Sequence, residues 1–171
     1  MPRELRQRRF ADLKAEALAR WVSAASDQRL QWVMYSRVRG VLLWQIFRTI
    51  SQRAKPDARL DAVVEFRITG RRDGGIDRYQ LIFAGGRCRM SRSWREPALT
   101  LEFEPVAFLR LVGGVHSPQR LLLTRKLKLR GDVMLALALS GALRLPGESL
   151  RDSLWRFASR ISGSATPNGD S

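Results

Sequence analysis

The stretch Leu127-Lys128-Leu129-Arg130-Gly131-Asp132, followed by the uncharged run Val133 to Leu143, decides the fold. Leu127 and Leu129 fall on one side of a short strand, while Lys126, Lys128 and Arg130 fall on the other. Gly131 lets the chain turn sharply, and Asp132 is placed to cap a helix. That helix, Val-Met-Leu-Ala-Leu-Ala-Leu-Ser-Gly-Ala-Leu, is apolar on every side. The sequence therefore predicts that it is sheltered around its whole circumference, by core or by a bound ligand.

Upstream of this unit, Ser117-Pro118 reads as N-cap and first residue of a short helix, Gln119 to Thr124, and Pro105 opens another holding Phe108, Leu109 and Val112. Four strands precede them. In the first, Ala62, Val64, Phe66 and Ile68 alternate with Val63, Glu65, Arg67 and Thr69. After the turn Arg71-Arg72-Asp73-Gly74-Gly75, Tyr79, Leu81 and Phe83 alternate with Arg78, Gln80 and Ile82. Gly85-Gly86 turns the chain into a third strand, Cys88 and Met90 against Arg87 and Arg89, and a fourth sets Leu99, Leu101 and Phe103 against Thr100 and Glu102. Before the strands come three helices: Asp12 to Ala25, then one capped at Ser26-Asp27 and carrying Leu30, Val33 and Met34, then Val41 to Gln52, with Leu43, Ile46, Phe47 and Ile50 buried. Gly40 separates the second from the third, which stops before Lys55-Pro56. The order after the helices is β-β-β-β-α-α-β-α.

A chain of 171 residues, 44% hydrophobic and 27% charged, fits one folded domain. Thirty-one Lys and Arg against sixteen Asp and Glu give a net charge of +15, which draws the chain to polyanions: anionic lipid, nucleic acid or acidic ligands. Cys88 is the only cysteine, which excludes an internal disulfide framework and fits a reducing compartment. No uncharged segment approaches the roughly 20 residues that span a bilayer. The basic start Met1 to Arg9 does not lead into a signal peptide's apolar region. The expected location is cytoplasmic, with peripheral contact at membranes.

The strand Leu99-Thr100-Leu101-Glu102-Phe103, the helix with Phe108-Leu109, the Gly113-Gly114 turn, Ser117-Pro118-Gln119 and the run Lys126 to Asp132 occur in a telling order. On these residues the segment from Leu60 to Leu143, half of the chain, resembles the sterol carrier protein type 2 domain, a family of small lipid-binding modules. The resemblance implies an α+β fold: a curved, five-stranded, mostly antiparallel sheet with helices over one face enclosing an apolar cavity, here preceded by N-terminal helices. It implies that the last helix helps to line the cavity. The chain departs from the family at Arg125, where a Gly usually precedes the Lys, so the turn must suit a residue with a Cβ. Some relatives that assist quinone biosynthesis share this departure, which keeps an accessory lipid-binding role in that chemistry open.

Composition alone favours a solid core; the resemblance reverses that expectation. The candidate lining then comprises Phe66, Ile68, Leu81 and Phe83 of the first two strands, Leu101 and Phe103 of the fourth, and Leu127 and Leu129 of the fifth. Phe108, Leu111, Val112 and Leu122 join from the short helices, and Met134, Leu135 and Ala138 from the last. Period two sends Arg67, Arg78, Arg87, Arg89, Lys126, Lys128 and Arg130 to the opposite face, which the sequence predicts to be an uncovered basic plate that docks on anionic membranes.

Chemistry has no comparable signature. His116, the only histidine, sits in a Gly-Gly-Val-His-Ser-Pro loop and is expected to be exposed, without a second imidazole or a thiol for catalysis or zinc. Asp73 and Asp77 read as turn and strand-edge residues, and Gly70 to Gly75 lacks the Gly-Lys-Ser/Thr of a phosphate loop. The expected function is non-enzymatic: carriage of a fatty acid, fatty acyl thioester, sterol or similar lipid, with no cofactor or metal. A basic nucleic-acid-binding protein is the alternative, although Trp21, Trp32, Trp44, Trp94 and Trp155 form no stacking row. The expected organisation is a helical segment, 1–56, packed on a lipid-binding domain, 57–146. A basic amphipathic helix over 147–162, with Leu150, Leu154, Phe157 and Ile161 on one stripe, and a disordered tail, 163–171, complete it.

Overall fold

The computed structural model describes residues 16–143; the C-terminal helix and tail expected from the sequence lie outside them. Helix α1 (residues 16–24) ends before Ser26, whose hydroxyl accepts from the Arg29 amide at 3.3 Å and starts α2 (Asp27–Tyr35). Helix α3 (Arg39–Arg53) follows. The break between them lies at residues 36–38 rather than at Gly40, which sits in the first turn of α3. Ser36 closes α2 by donating both its amide and its hydroxyl to the Val33 carbonyl, so the chain turns before the glycine is reached.

The remaining elements are β1 (Ala62–Ile68), β2 (Asp77–Ala84), β3 (Arg87–Met90), β4 (Leu99–Phe103), α4 (Pro105–Val112), α5 (Pro118–Leu123), β5 (Leu127–Gly131) and α6 (Val133–Ala142). The strands form an open five-stranded sheet in the order β3-β2-β1-β4-β5, with β1 and β4 parallel and every other pair antiparallel. Strand parity aligns Met90, Leu81, Val64 and Leu99 in one cross-strand row of the inner face, and Tyr79, Phe66, Leu101 and Leu129 in the next.

Helices α3 and α6 lie over this inner face. Their C-terminal ends are tied together where the Lys55 amide donates to the Ala142 carbonyl at 3.0 Å. Phe47 of α3 occupies the centre. Its ring stacks on Tyr79 at 4.5 Å and on Phe108 at 5.4 Å and meets Phe66 edge-on at 5.1 Å, so one side chain joins α3, β1, β2 and α4.

The unit that opened the sequence reading forms as its residues dictate. Gly131 adopts φ +105, a conformation open to glycine, and a Cβ there would run into the Ala98 carbonyl. Asp132 then accepts from the amides of Met134 at 2.8 Å and Leu135 at 3.1 Å, capping α6. Arg125 holds φ +58, the left-handed region, while its amide and that of Lys126 return to Leu122 and Leu121 to close α5. The turn therefore keeps the geometry that a glycine adopts without strain, and a residue with a Cβ is held in it.

Two arginines fasten the helices, Arg39 to the sheet and Arg110 to one another. The buried Arg39 spends its guanidinium on Asp77 (2.6 Å) and on the carbonyls of Met34 (3.1 Å), Gly70 (2.8 Å), Ile68 (3.0 Å) and Thr69 (2.6 Å). Arg110 of α4 reaches the carbonyls of Val22 (2.7 Å) and Ala25 (2.8 Å) and the Asp27 carboxylate (2.6 Å). The Arg110 hydrogen bonds hold the Asp27 carboxyl below the usual range.

Candidate functional site

Most of the sequence-derived lining lies inside. Phe66, Ile68, Leu81, Phe83, Phe103, Phe108, Leu111, Val112, Leu127 and Leu135 are buried. Leu101, Leu122 and Leu129 are only half-buried and pack against that core. This difference has a direction. Along the row Phe66, Leu101, Leu129 the inner face passes from buried to half-buried as it approaches the β5 edge. Val106 of α4 and Leu137 of α6 are half-buried as well. The inner face is buried at its centre, around Phe47 and Phe66, and half-buried toward both edges, at Tyr79, Cys88 and Met90 on one side and at Leu101 and Leu129 on the other, where apolar surface stays within reach of solvent.

Met134 and Ala138 do not belong to this lining. Met134 is 68% exposed and Ala138 is exposed, while Leu135, Ala136 and Leu139 of the same helix turn inward. The expected shelter around the whole of α6 is therefore corrected: among the described residues one side is covered. A helix apolar all round carries no amphipathic signal to say which side that is.

The opposite face of the sheet differs from an uncovered plate. The chain joining β3 to β4 must cross β2 and β1, and it crosses on this face. The Gln80 amide grips it, donating to the Arg95 carbonyl at 2.7 Å and accepting from the Arg95 amide at 2.9 Å. The centre of the face, Gln80, Ile82, Glu65 and Thr100, is buried. Glu65 is fully enclosed, paired with Arg67 at 3.1 Å and lying 3.6 Å from Arg78, with its Oε1 and the Arg67 Nε making no hydrogen bond. Lys128 pairs with Glu102 at 3.0 Å. Arg87, Arg89, Lys126 and Arg130 remain exposed, at the two sheet edges instead of in one plate.

His116 is half-buried, not exposed as expected. Burial and the neighbouring Arg120 and Arg110 depress its pKa, and its Nδ1 has no hydrogen-bond partner. Burial pushes the half-buried Cys88 thiol up to about 12 and raises Tyr79 as well. Asp73 is held low by the Gly75 amide and by Arg71, and Asp77 by geometry belongs to the Arg39 clamp. Among the described residues no cluster of His, Cys, Asp and Glu could hold a metal ion. No helix among them is long and apolar enough to cross a membrane.

Sequence reading missed the clamp made by Arg39 and the enclosure of Glu65, and it placed Phe47 among the buried residues of its helix without showing its central position. Phe47 sits at helical spacing with other core residues and carries no mark of its central place.

A search of curated proteins finds no match. Among solved structures, the palmitated SCP2L2 of Aedes aegypti is 18% identical and covers 58% of this chain and 91% of its own, with a TM-score of 0.48. The apo sterol carrier protein 2 of Yarrowia lipolytica is 27% identical over 46% of this chain and 68% of its own, TM-score 0.39. The methyltransferase MycE of the mycinamycin pathway is similar in fold over 68% of this chain and 29% of its own, 16% identical, TM-score 0.51. The model of the SCP-2 sterol transfer family matches residues 45–144, starting inside α3 just ahead of Phe47 and ending just past α6. That span takes in the whole sheet and more than half of the chain, so the protein belongs to the SCP-2 sterol transfer family.

Proposed function

We propose that the chain binds and carries a hydrophobic ligand of the fatty acid, fatty acyl thioester or sterol class, held between the inner face of β4-β5 and helices α4 to α6. The observation that carries this reading is the half-buried pair Leu101 and Leu129, neighbouring inward-facing leucines that stop short of full burial between the buried Phe103, Leu127 and Leu135. Family membership supports a lipid as the occupant. The role is carriage: Asp77 is engaged in the Arg39 clamp, Asp73 in its turn, and the Cys88 thiol is held protonated by burial, which leaves His116 as a single imidazole without a thiol nucleophile to serve. In this reading α3 belongs to the lipid-binding body, a grouping supported by the place of Phe47 against Phe66 and Tyr79.

Titration with fluorescent fatty acids of increasing length tests the site. Affinity is expected to rise about fourfold per added methylene, the equivalent of roughly 0.8 kcal/mol of burial. Leu101→Asp and Leu129→Asp place a charge on the proposed lining and are expected to weaken uptake at least tenfold, whereas Met134→Asp, on the exposed side of α6, leaves it unchanged. Equal binding by all three folded variants would remove the β4-β5 side from the site.

A further inference from the structure

The β3-β4 crossover has features that the internal apolar site does not use. Its backbone is pinned on both sides of Trp94: Ser91 donates its amide to the Gln80 carbonyl at 2.8 Å, and Arg95 is gripped by the Gln80 side chain. Trp94 itself is 62% exposed. A large indole is thus held out in solvent on a braced loop, where the ordinary tendency is to fold it onto the sheet. Beside it lies a cleft of about 340 Å³ lined by Arg89, Arg92 and Arg95 together with Ile82, Ser91 and Ser93.

The cleft gathers three cations and no acid. Arg87 lies on the same face of the same strand. Among the described residues, none of these four guanidinium groups makes an ion pair, in contrast to Arg67 and Lys128 of the same sheet face, which are matched to Glu65 and Glu102. Glu96, the nearest acid in sequence, does not line the cleft. Like charges gathered without a counter-charge raise the local potential and repel one another until an anion arrives.

We propose that this crossover is a docking surface for an anionic lipid bilayer, in which Arg87, Arg89, Arg92 and Arg95 take phosphate headgroups and Trp94 enters the headgroup layer. A lone indole flanked by Arg on a fixed loop suits the membrane interface, where an amphipathic ring sits with one side apolar and its N–H wet. A single-stranded nucleic acid would call for a run of rings along the groove. Among the described residues the other exposed tryptophans, Trp32 and Trp44, stand on α2 and α3. Docking on the outer sheet face leaves the inner face undisturbed. Its purpose rests on the lipid-carrier reading, since it sets the inner site beside a bilayer to load from, but the two are measured separately.

Co-sedimentation of the full chain with vesicles of phosphatidylcholine and phosphatidylglycerol in equal amounts, and with phosphatidylcholine alone, tests the docking. The expected result is salt-sensitive binding to the anionic vesicles alone. The joint variant Arg89→Gln, Arg92→Gln, Arg95→Gln is expected to bind about a hundredfold more weakly, and Trp94→Ser about tenfold more weakly. All four changed side chains lie on the crossover or its edge strand, outside the core, and both variants are expected to take up fluorescent fatty acid as the parent does. Undiminished vesicle binding by the joint variant overturns the proposal. So does a parent that ignores both vesicles but binds duplex or single-stranded nucleic acid through these arginines. Vesicle binding lost in the joint variant, in a parent that takes up no fatty acid, supports the docking and overturns the internal-site reading.

Discussion

Arg39→Met is expected to lower folding stability by about 3–5 kcal/mol, the range for stranding the partner of a buried ion pair. Arg39 is buried and uses all its donors: the Asp77 carboxylate and four carbonyls accept from it. Those carbonyls come from the last turn of α2 and from the strand end and loop after β1, so the guanidinium stitches helix to sheet at a point where neither completes its own hydrogen bonding. Asp77 would keep only Arg71, 3.6 Å away and largely exposed. Arg39→Lys is expected to recover little, because one ammonium offers three donors from a point and cannot span the fork. Arg71→Ala, at a surface pair, is expected to cost no more than about 1 kcal/mol. Urea unfolding followed by circular dichroism separates these outcomes; an Arg39→Met midpoint within error of the parent would show that the clamp contributes nothing to stability.

Phe47→Ala is expected to cost about 3–5 kcal/mol, the usual penalty for truncating a buried ring and leaving a cavity. The position is severe because three other rings, Phe66, Tyr79 and Phe108, rest against it. Their edge-to-face and stacked contacts go with the ring. The truncation also empties the centre next to the site proposed on the β4-β5 side, so the folded fraction of Phe47→Ala is expected to accept bulkier apolar ligands than the parent. Thermal unfolding with and without ligand measures both effects. A melting temperature unchanged by the truncation would contradict the central placement of Phe47.

The sheet was legible because strand parity and turn chemistry are local. Asp132, Ser26 and Ser117 cap the helices they precede, and Gly131 stands where only glycine fits. Arg39 was not legible, since one arginine among thirty-one cations becomes a clamp only when residues 29 to 38 positions away arrive around it. Parity sent Glu65 outward correctly but could not show that the outward face is covered at its centre. The parallel pairing of β1 with β4 forces the intervening chain across the sheet, and that pairing is a long-range fact. The inward side of α6 was hidden for the opposite reason: its residues are too alike to mark a face.

Native mass spectrometry of the gently purified, full-length protein tests lipid carriage most directly. The expected spectrum shows the chain together with a species heavier by the mass of a single lipid, which dissociates on collisional activation to yield the bare chain. A spectrum of bare protein that also refuses added fatty acid, or of protein bound to nucleic acid, would contradict it.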